Sequence, residues 1–197
     1  IDLVIFSPNS KYILIQDNDD KFKIYKTINN FKIFKELTKK EFSCYFYFSF
    51  SYDERFFALS TNNLVNIYDI DDDFSLKLDF VTDFEINNIV TFSPDPNYFY
   101  TVNENGKILN YDITNKSLKN PITHYDNNES DMIISPDSKI MIIKSENKNL
   151  LYDLKELKFQ EKIFNSKNLE FSPLGNYLIS YDINENEYII KIFQYIK

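Results

Sequence analysis

The sequence predicts an all-β fold in which one small antiparallel sheet is repeated along the chain. Three observations predict it: a serine-containing turn recurs five times, an aromatic anchor follows each copy, and short strand-like runs fill the intervals. Of the 197 residues, 43% are hydrophobic and 17% are aromatic, so the chain has enough apolar material for a substantial core. A regular repeat of this kind is typical of sheets that stack side by side and cover one another.

The recurring turn combines an apolar residue, a serine, a residue that is proline in four copies, and usually a short polar residue. Its copies begin 44, 42, 42 and 37 residues apart. Proline presets φ and an Asn or Asp side chain caps the bend, so each copy predicts a tight turn at the end of a first strand. The copies are Phe6-Ser7-Pro8-Asn9, Phe50-Ser51-Tyr52-Asp53, Phe92-Ser93-Pro94-Asp95, Ile134-Ser135-Pro136-Asp137 and Phe171-Ser172-Pro173-Leu174.

Two further positions recur at a nearly constant spacing from the turn. An apolar or aromatic residue stands six places after the first residue of the turn, and an aromatic residue stands 18 to 22 places after it. In three copies the second of these is the tyrosine of a Tyr-Asp-Ile or Tyr-Asp-Leu triplet. Positions that hold over five copies indicate a genuine repeat. The two sets are Tyr12, Phe56, Tyr98, Ile140 and Tyr177, and then Tyr25, Tyr68, Tyr111, Tyr152 and Phe193.

Each copy divides into four short runs, which in the third copy are 86–92, 97–102, 107–113 and 117–124. The Asn105-Gly106 pair between the second and third runs is a strong hairpin signal, because both residues tolerate positive φ. The fourth run alternates between apolar and polar residues, with one lapse, and this indicates a half-exposed outer strand. In the second copy the alternating residues are Phe74, Leu76, Leu78 and Phe80 against Ser75, Lys77, Asp79 and Val81.

The first and second runs are apolar on both faces, as in "LVIF" at 3–6, "FFAL" at 56–59 and "IMII" at 140–143. Strands with this pattern are covered on both sides by neighbouring layers. The stretch "EFSCYFYFSF" at 41–50 is interpreted in the same way, so its Cys44 is expected to be an inert, small core residue.

A stack of four-stranded antiparallel sheets with covered inner strands and polar outer strands is a β-propeller. We therefore predict one propeller domain over residues 1–197, with about four and three-quarter blades. The approximate blade boundaries are 1–39, 40–83, 84–127, 128–166 and, for an incomplete last blade, 167–197.

The repeat resembles the WD40 repeat, which shares the period, the four strands, the "FSPD" end of the first strand and the aromatic-Asp pair on the third. Two features depart from that pattern. Tyr-Asp replaces Trp-Asp, and the Gly-His pair is absent, because the only histidine is His124 and no glycine precedes it. The resemblance implies a divergent propeller held mainly by aromatic burial. It also implies further blades outside these residues, since most WD40 propellers have seven; the alternative is that five blades close alone, with an N-terminal strand completing the last sheet.

The resemblance implies a non-catalytic scaffold for protein–protein interaction, whose partners are other proteins of a multi-subunit complex. A likeness of residues 37–70 to the propellers of translation initiation factors gives a narrower hypothesis. The alternative function is that of a propeller-type hydrolase, or of an accessory propeller domain of an enzyme. Such a site needs polar residues from several blades to converge on the channel.

Partner contacts are expected on loops rather than on strands. The candidate loops are the connections between blades and the turns between second and third strands. Their residues are Asp17, Asp19, Asp20, Lys39, Lys40, Asn62, Asn63, Asp83, Phe84, His124 and Asp126.

Composition narrows the partner classes. The net charge of −8 argues against direct nucleic-acid binding, because proteins that bind nucleic acids have a basic patch or stripe on their surface. It also argues against binding to anionic membrane surfaces. A single cysteine cannot form an internal disulfide, so an intracellular and cytoplasmic setting is expected. No apolar run approaches the length of a membrane-spanning helix, and membrane insertion is not expected.

No catalytic, metal-binding or cofactor-binding residue is predicted, and no enzyme activity. The lone His124 has no second histidine and no cysteine cluster to share a metal with. The acidic clusters Asp17–Asp20, Asp69–Asp73 and Asp182–Glu187 are interpreted as solvated turns. The last one imitates the start of a calcium loop, but it lacks the glycine at position six and has Phe193 at position twelve.

Overall fold

The computed structural model describes residues 3–16, 21–38, 47–61, 64–81, 86–103, 107–119, 121–123, 129–145, 149–164, 168–172, 174–184 and 187–194. These residues form twenty β-strands and a single-turn helix, α1 (Ile28–Phe31). The strands form five antiparallel sheets, and each sheet uses one stretch of the chain. The sheets are called blades 1 to 5 in chain order.

The strands of each blade follow one another in the sequence. Blade 1 consists of β1 (Leu3–Phe6), β2 (Tyr12–Gln16), β3 (Lys21–Lys26) and β4 (Lys32–Thr38). Blade 2 consists of β5 (Tyr47–Phe50), β6 (Phe56–Thr61), β7 (Leu64–Asp69) and β8 (Ser75–Val81). Blade 3 consists of β9 (Ile86–Phe92), β10 (Tyr98–Asn103), β11 (Lys107–Asp112), β12 (Ser117–Leu118) and β13 (Ile122–Thr123). Blade 4 consists of β14 (Glu129–Ile134), β15 (Ile140–Ser145), β16 (Asn149–Asp153) and β17 (Lys158–Phe164). Blade 5 consists of β18 (Asn168–Phe171), β19 (Tyr177–Asn184) and β20 (Glu187–Gln194).

The blades are arranged as a β-propeller, which confirms the predicted fold class. Within each blade consecutive strands pair, except that β12 and β13 of blade 3 both pair with β11, so the first strand lies at one edge. These first strands approach one another, with β9 in contact with both β5 and β14, and β14 in contact with β18. Blade 5 has three strands within the described residues.

The fourth strand of blade 3 differs from the predicted continuous run at 117–124. It consists of two short strands, β12 and β13, which both pair with β11. Pro121 lies between them. Because proline has no backbone N–H, it cannot continue the ladder of hydrogen bonds, and the strand is interrupted there.

The hydrophobic core lies between the blades. Each cluster of buried side chains combines residues of two consecutive blades, as the stacking argument requires. Between blades 1 and 2 the cluster includes Leu14, Phe22, Ile24 and Phe57, and between blades 2 and 3 it includes Ala58, Ile67, Phe92 and Phe99. Between blades 3 and 4 it includes Val102, Ile108, Met132 and Met141, and between blades 4 and 5 it includes Ile140, Ile142, Leu169 and Leu178.

The expected two-sided burial of the inner strands holds for β6 and β15, but it fails for β1 and at the start of β5, where Tyr47 is 44% exposed. All six residues of β6 are buried, and the four residues 140–143 of β15 are fully buried. The prediction is wrong for "LVIF" in β1, where Val4 is 48% exposed and Phe6 is 59% exposed. Ile5 packs against blade 2, whereas Val4 and Phe6 lie on the other face, which no described blade covers.

Serine builds the turn after the first strand. In four blades its hydroxyl oxygen accepts a hydrogen bond from the backbone N–H five residues later, at 2.9 to 3.1 Å. The backbone N–H of the serine also donates a hydrogen bond to the carbonyl oxygen of the residue five positions later, and this second bond occurs in all five blades. The four pairs with both bonds are Ser7 and Tyr12, Ser51 and Phe56, Ser135 and Ile140, and Ser172 and Tyr177.

The aspartate of the Tyr-Asp pair closes the turn after the third strand in two blades. The Asp112 carboxylate accepts hydrogen bonds from the backbone N–H of Asn115 at 2.9 Å and from its side-chain amide at 2.8 Å. The Asp153 carboxylate accepts from the backbone N–H of Lys155 and of Glu156. The pair therefore has two roles, since the aromatic ring packs while the carboxylate orders the turn.

No helix in the described parts of the chain is long and apolar enough to cross a membrane.

Candidate functional site

The five blades converge on one pocket with a volume of about 490 Å³, which is called the central pocket. Its lining comes from the first strands and from the serine turns that follow them. The lining residues are Pro8 and Asn9 of blade 1, Tyr52 of blade 2, Thr91 of blade 3, Met132, Ile133, Ile134 and Pro136 of blade 4, and Glu170, Phe171 and Ser172 of blade 5.

Tyr52 joins blade 2 to blade 4 across this pocket. Its hydroxyl donates a hydrogen bond to the carbonyl oxygen of Ile134 at 3.2 Å. Burial raises the pKa of the Tyr52 phenol above its ordinary value, so the side chain keeps its proton and stays a donor. Tyr52 stands where the other four turns have proline, and the exchange gives the pocket a polar side chain that the repeat does not supply elsewhere.

Glu54, in the same turn as Tyr52, fixes the pocket residues of blade 1. Its buried carboxylate accepts hydrogen bonds from the Ser7 hydroxyl at 2.5 Å, from the Asn9 backbone N–H at 2.7 Å and from the Lys11 backbone N–H at 3.3 Å. All three bonds go to one oxygen, Oε1, and the Lys11 ammonium lies 3.5 Å from the other, Oε2. One carboxylate of blade 2 thus holds the whole turn of blade 1, and with it Asn9.

The walls of the pocket are mostly apolar. Ile133 and Phe171 are half-buried and pack into the cluster between blades 4 and 5, and Met132 is buried between blades 3 and 4. Glu170 lies between two residues of β18 that face blade 4, so it projects from the opposite side of the strand and is exposed. Its carboxylate is the one charged group among the lining residues. Apolar walls with a few placed polar groups are typical of binding sites.

The backbone adds hydrogen-bonding groups to this site. Sheet order places β1, β5, β9, β14 and β18 at the edge of each blade, so one side of each strand has no partner strand within its sheet. An edge strand presents unpaired N–H and C=O groups. The Tyr52 bond to the Ile134 carbonyl shows one such group engaged by a donor from another blade.

Within the described residues, no group of three or more His, Cys, Asp or Glu side chains is arranged to hold a metal ion. The acidic cluster Asp69–Asp73 does contain one structural carboxylate. Asp69 is buried and accepts a hydrogen bond from the Arg55 guanidinium at 3.1 Å. Its role in the described structure is an ion pair across the β6–β7 hairpin.

The residues predicted to bind partners lie outside the described residues: Asp17, Asp19, Asp20, Lys39, Lys40, Asn62, Asn63, Asp83, Phe84, His124 and Asp126. Cys44 lies outside them as well. The central pocket was not among the sequence predictions, although a signal for it exists. Tyr52 breaks the proline position of the repeat, and a residue that breaks a repeat marks a position to test for function.

Searches of the sequence against protein-family models and against curated proteins find no match.

Proposed function

We propose that this chain is a WD40-like, non-catalytic scaffold that binds partner proteins of a larger assembly at its central pocket. The observation that carries the proposal is the convergence of all five blades on one mostly apolar pocket with exposed mouth residues such as Asn9 and Tyr52. Concave apolar surfaces with a few polar groups are where soluble proteins bind ligands and partners.

Two physical features support a scaffold. The pocket is built on a rigid frame, because each blade is packed on the next through a buried cluster. Its turns are also tied together, as Glu54 holds blade 1 to blade 2 and Tyr52 reaches blade 4. A pre-organised surface loses little conformational freedom on binding, which favours affinity. The WD40-like repeat and its period support the same class of function.

The test is to purify the tagged full-length protein from its own cells and to identify the co-purifying proteins by quantitative mass spectrometry. The variant Asn9→Trp places a bulky ring at the exposed mouth of the pocket. The control Lys155→Trp places the same ring on an exposed turn of blade 4, away from the pocket lining. Circular dichroism and thermal unfolding check that both variants fold.

We expect the wild type and Lys155→Trp to retain the same stoichiometric partners and Asn9→Trp to lose at least one of them. An unchanged partner set with Asn9→Trp would overturn the proposal, as would hydrolytic turnover by the purified chain. Co-sedimentation with ribosomal subunits tests the narrower hypothesis of a translation initiation factor.

A further inference from the structure

We propose that the central pocket binds an extended peptide segment of the partner through a lysine or arginine side chain, with Glu170 as its counter-ion. The inference rests on the proposed scaffold function and gives the bound segment its chemistry. It depends on three features of the pocket: its charge, its backbone groups and the shape of its walls.

The charge of the pocket selects a cation. The Glu170 side chain is exposed, and its carboxylate forms no hydrogen bond or ion pair among the described residues. Two lysines belong to the turns around the pocket, but both are engaged by acids of their own. Lys11 pairs with Glu54 at 3.5 Å, and Lys139 pairs with Asp137 at 3.2 Å. The lining itself contains no basic side chain, so a cationic ligand meets no like charge beside Glu170.

The backbone of the pocket selects an extended segment. The strands β14 and β18 line the pocket and lie at the edges of their sheets, and an edge strand binds a peptide through its free N–H and C=O groups. The Ile134 carbonyl accepts a donor from Tyr52. A peptide N–H is a donor of the same kind, and a peptide carbonyl can accept from the Tyr52 hydroxyl in return.

The walls select a long side chain with an apolar stem. Ile133 and Phe171 are half-buried, and both line the pocket together with Glu170. Lysine and arginine bury their methylene groups along such surfaces while the charged end reaches a polar group. A volume of about 490 Å³ has room for a few residues rather than for a helix or a domain.

The experiment titrates the full chain with three blocked, fluorescently labelled pentapeptides that differ only at the central residue. The five-residue probes are acetyl-Ala-Ala-Arg-Ala-Ala-amide, its Gln analogue and its Glu analogue. Binding is measured by fluorescence anisotropy at low and at physiological salt. The matched variants are Glu170→Gln, which removes one charge from the pocket, and Glu156→Gln, which removes one charge from an exposed turn.

We expect the arginine peptide to bind about tenfold more tightly than the glutamine peptide, because a charge-assisted hydrogen bond at a partly desolvated site is worth about that factor. The glutamate peptide should bind least. Glu170→Gln should weaken the arginine peptide about tenfold and leave the glutamine peptide unchanged, whereas Glu156→Gln should change neither. Equal binding of the three peptides, or no effect of Glu170→Gln, would overturn the inference.

The two proposals fail separately. If Asn9→Trp removes partners from cells while Glu170→Gln leaves the arginine peptide bound as tightly as before, the scaffold is supported and the counter-ion role is wrong. If Asn9→Trp removes no partner, the scaffold proposal fails, and Glu170-dependent binding of the arginine peptide would then show a site for a basic side chain that is not a partner site.

Discussion

The Tyr52 hydroxyl in blade 2 donates a hydrogen bond to the Ile134 carbonyl in blade 4, 82 residues further along the chain. Adjacent blades are joined by buried apolar clusters, but this bond joins blades that are not neighbours in the sequence. It is formed by the one serine turn that has no proline. A polar contact across the pocket mouth therefore replaces a rigid turn residue.

We expect Tyr52→Phe to lower the free energy of unfolding by about 1 kcal/mol, because the Ile134 carbonyl loses its donor while the ring keeps its packing. Urea denaturation measures the change. The control is Tyr47→Phe, a tyrosine that is 44% exposed on β5 and forms no hydrogen bond through its hydroxyl within the described residues. Equal stability of Tyr52→Phe and wild type would mean that the bond to Ile134 contributes nothing.

Substitution of Glu54 is expected to lower the free energy of unfolding more than Tyr52→Phe does. Glu54→Ala removes the acceptor of the Ser7 hydroxyl and of two backbone N–H groups, and leaves these donors in a part-buried turn. We expect a loss of about 3 kcal/mol, since each unpaired buried donor costs on the order of 1 kcal/mol. Glu54→Gln retains one carboxamide oxygen and should lose less, about 1 kcal/mol.

The comparison of the two Glu54 variants separates the hydrogen bonds from the ion pair with Lys11. Chemical denaturation at low salt and at 1 M salt measures both. If Gln costs as much as Ala, the ammonium of Lys11 rather than the hydrogen bonds stabilises the turn, and the assignment of Oε1 as the main acceptor is wrong.

The repeat was predictable from sequence because its signals are local. The serine turns confirm the predicted bends: Ser51 closes a turn on Phe56 only five residues away, and the geometry is contained in that short stretch. The buried strand β6 follows from its continuous run of apolar and small residues. In each case the neighbours along the chain decide the conformation, so a pattern in the sequence is sufficient to predict it.

Features that depend on contacts between distant parts of the chain could not be predicted from the sequence. Leu76 was expected to face the core with Phe74 and Leu78, but it is 53% exposed. The pairing of β7 with β8 shifts between Ile67 and Tyr68, and this irregularity turns Leu76 to the outside. A bulge depends on how two strands meet rather than on the alternation within one of them.

The central pocket could not be predicted from the sequence for a related reason. Its residues come from five separated turns and strands, and each residue is unremarkable where it stands in the sequence. The blade order brings Asn9 and Glu170 to the same pocket although they are far apart in the chain. The alternation of β18 indicates that Glu170 lies opposite Leu169 and Phe171, but only the stack of blades shows what it faces.

Acid should destabilise the propeller partly through Asp112. Hydrogen bonds from the Asn115 backbone N–H and side-chain amide, together with Lys119 at 3.2 Å, lower the pKa of Asp112 to about 2. Because the carboxylate is favoured in the folded state, its stabilisation is present above the pKa of the unfolded chain, near 4, and is lost as the pH falls toward about 2. We expect Asp112→Asn to flatten the fall of the unfolding free energy in this interval.

Urea denaturation at a series of pH values from 2 to 6 tests this dependence. The control is Asp79→Asn, an exposed carboxylate on β8. A pH profile of Asp112→Asn that runs parallel to the wild-type profile would contradict the assignment, because the stabilising carboxylate would then lie elsewhere.

The position three residues after the turn serine gives a last test, in which two blades provide matched residues. Gly175 of blade 5 has φ 69°, and a Cβ atom there would lie 3.2 Å from the Pro136 ring of blade 4. Ser138 of blade 4 occupies the same turn position with φ 59°. Left-handed backbone costs a residue with a side chain about 1 kcal/mol more than glycine.

We expect Gly175→Ala to lower the free energy of unfolding by about 1 to 2 kcal/mol, because the strained φ and the contact with Pro136 act together. Ser138→Gly relieves the same strain, but it also makes the unfolded chain more flexible, so its net effect should lie within about 0.5 kcal/mol of zero. Thermal and urea unfolding of both variants measure the difference. If Gly175→Ala is neutral, blade 5 does not approach blade 4 as closely at Pro136 as the turn geometry indicates, and the blade 5 wall of the central pocket is set by β18 alone.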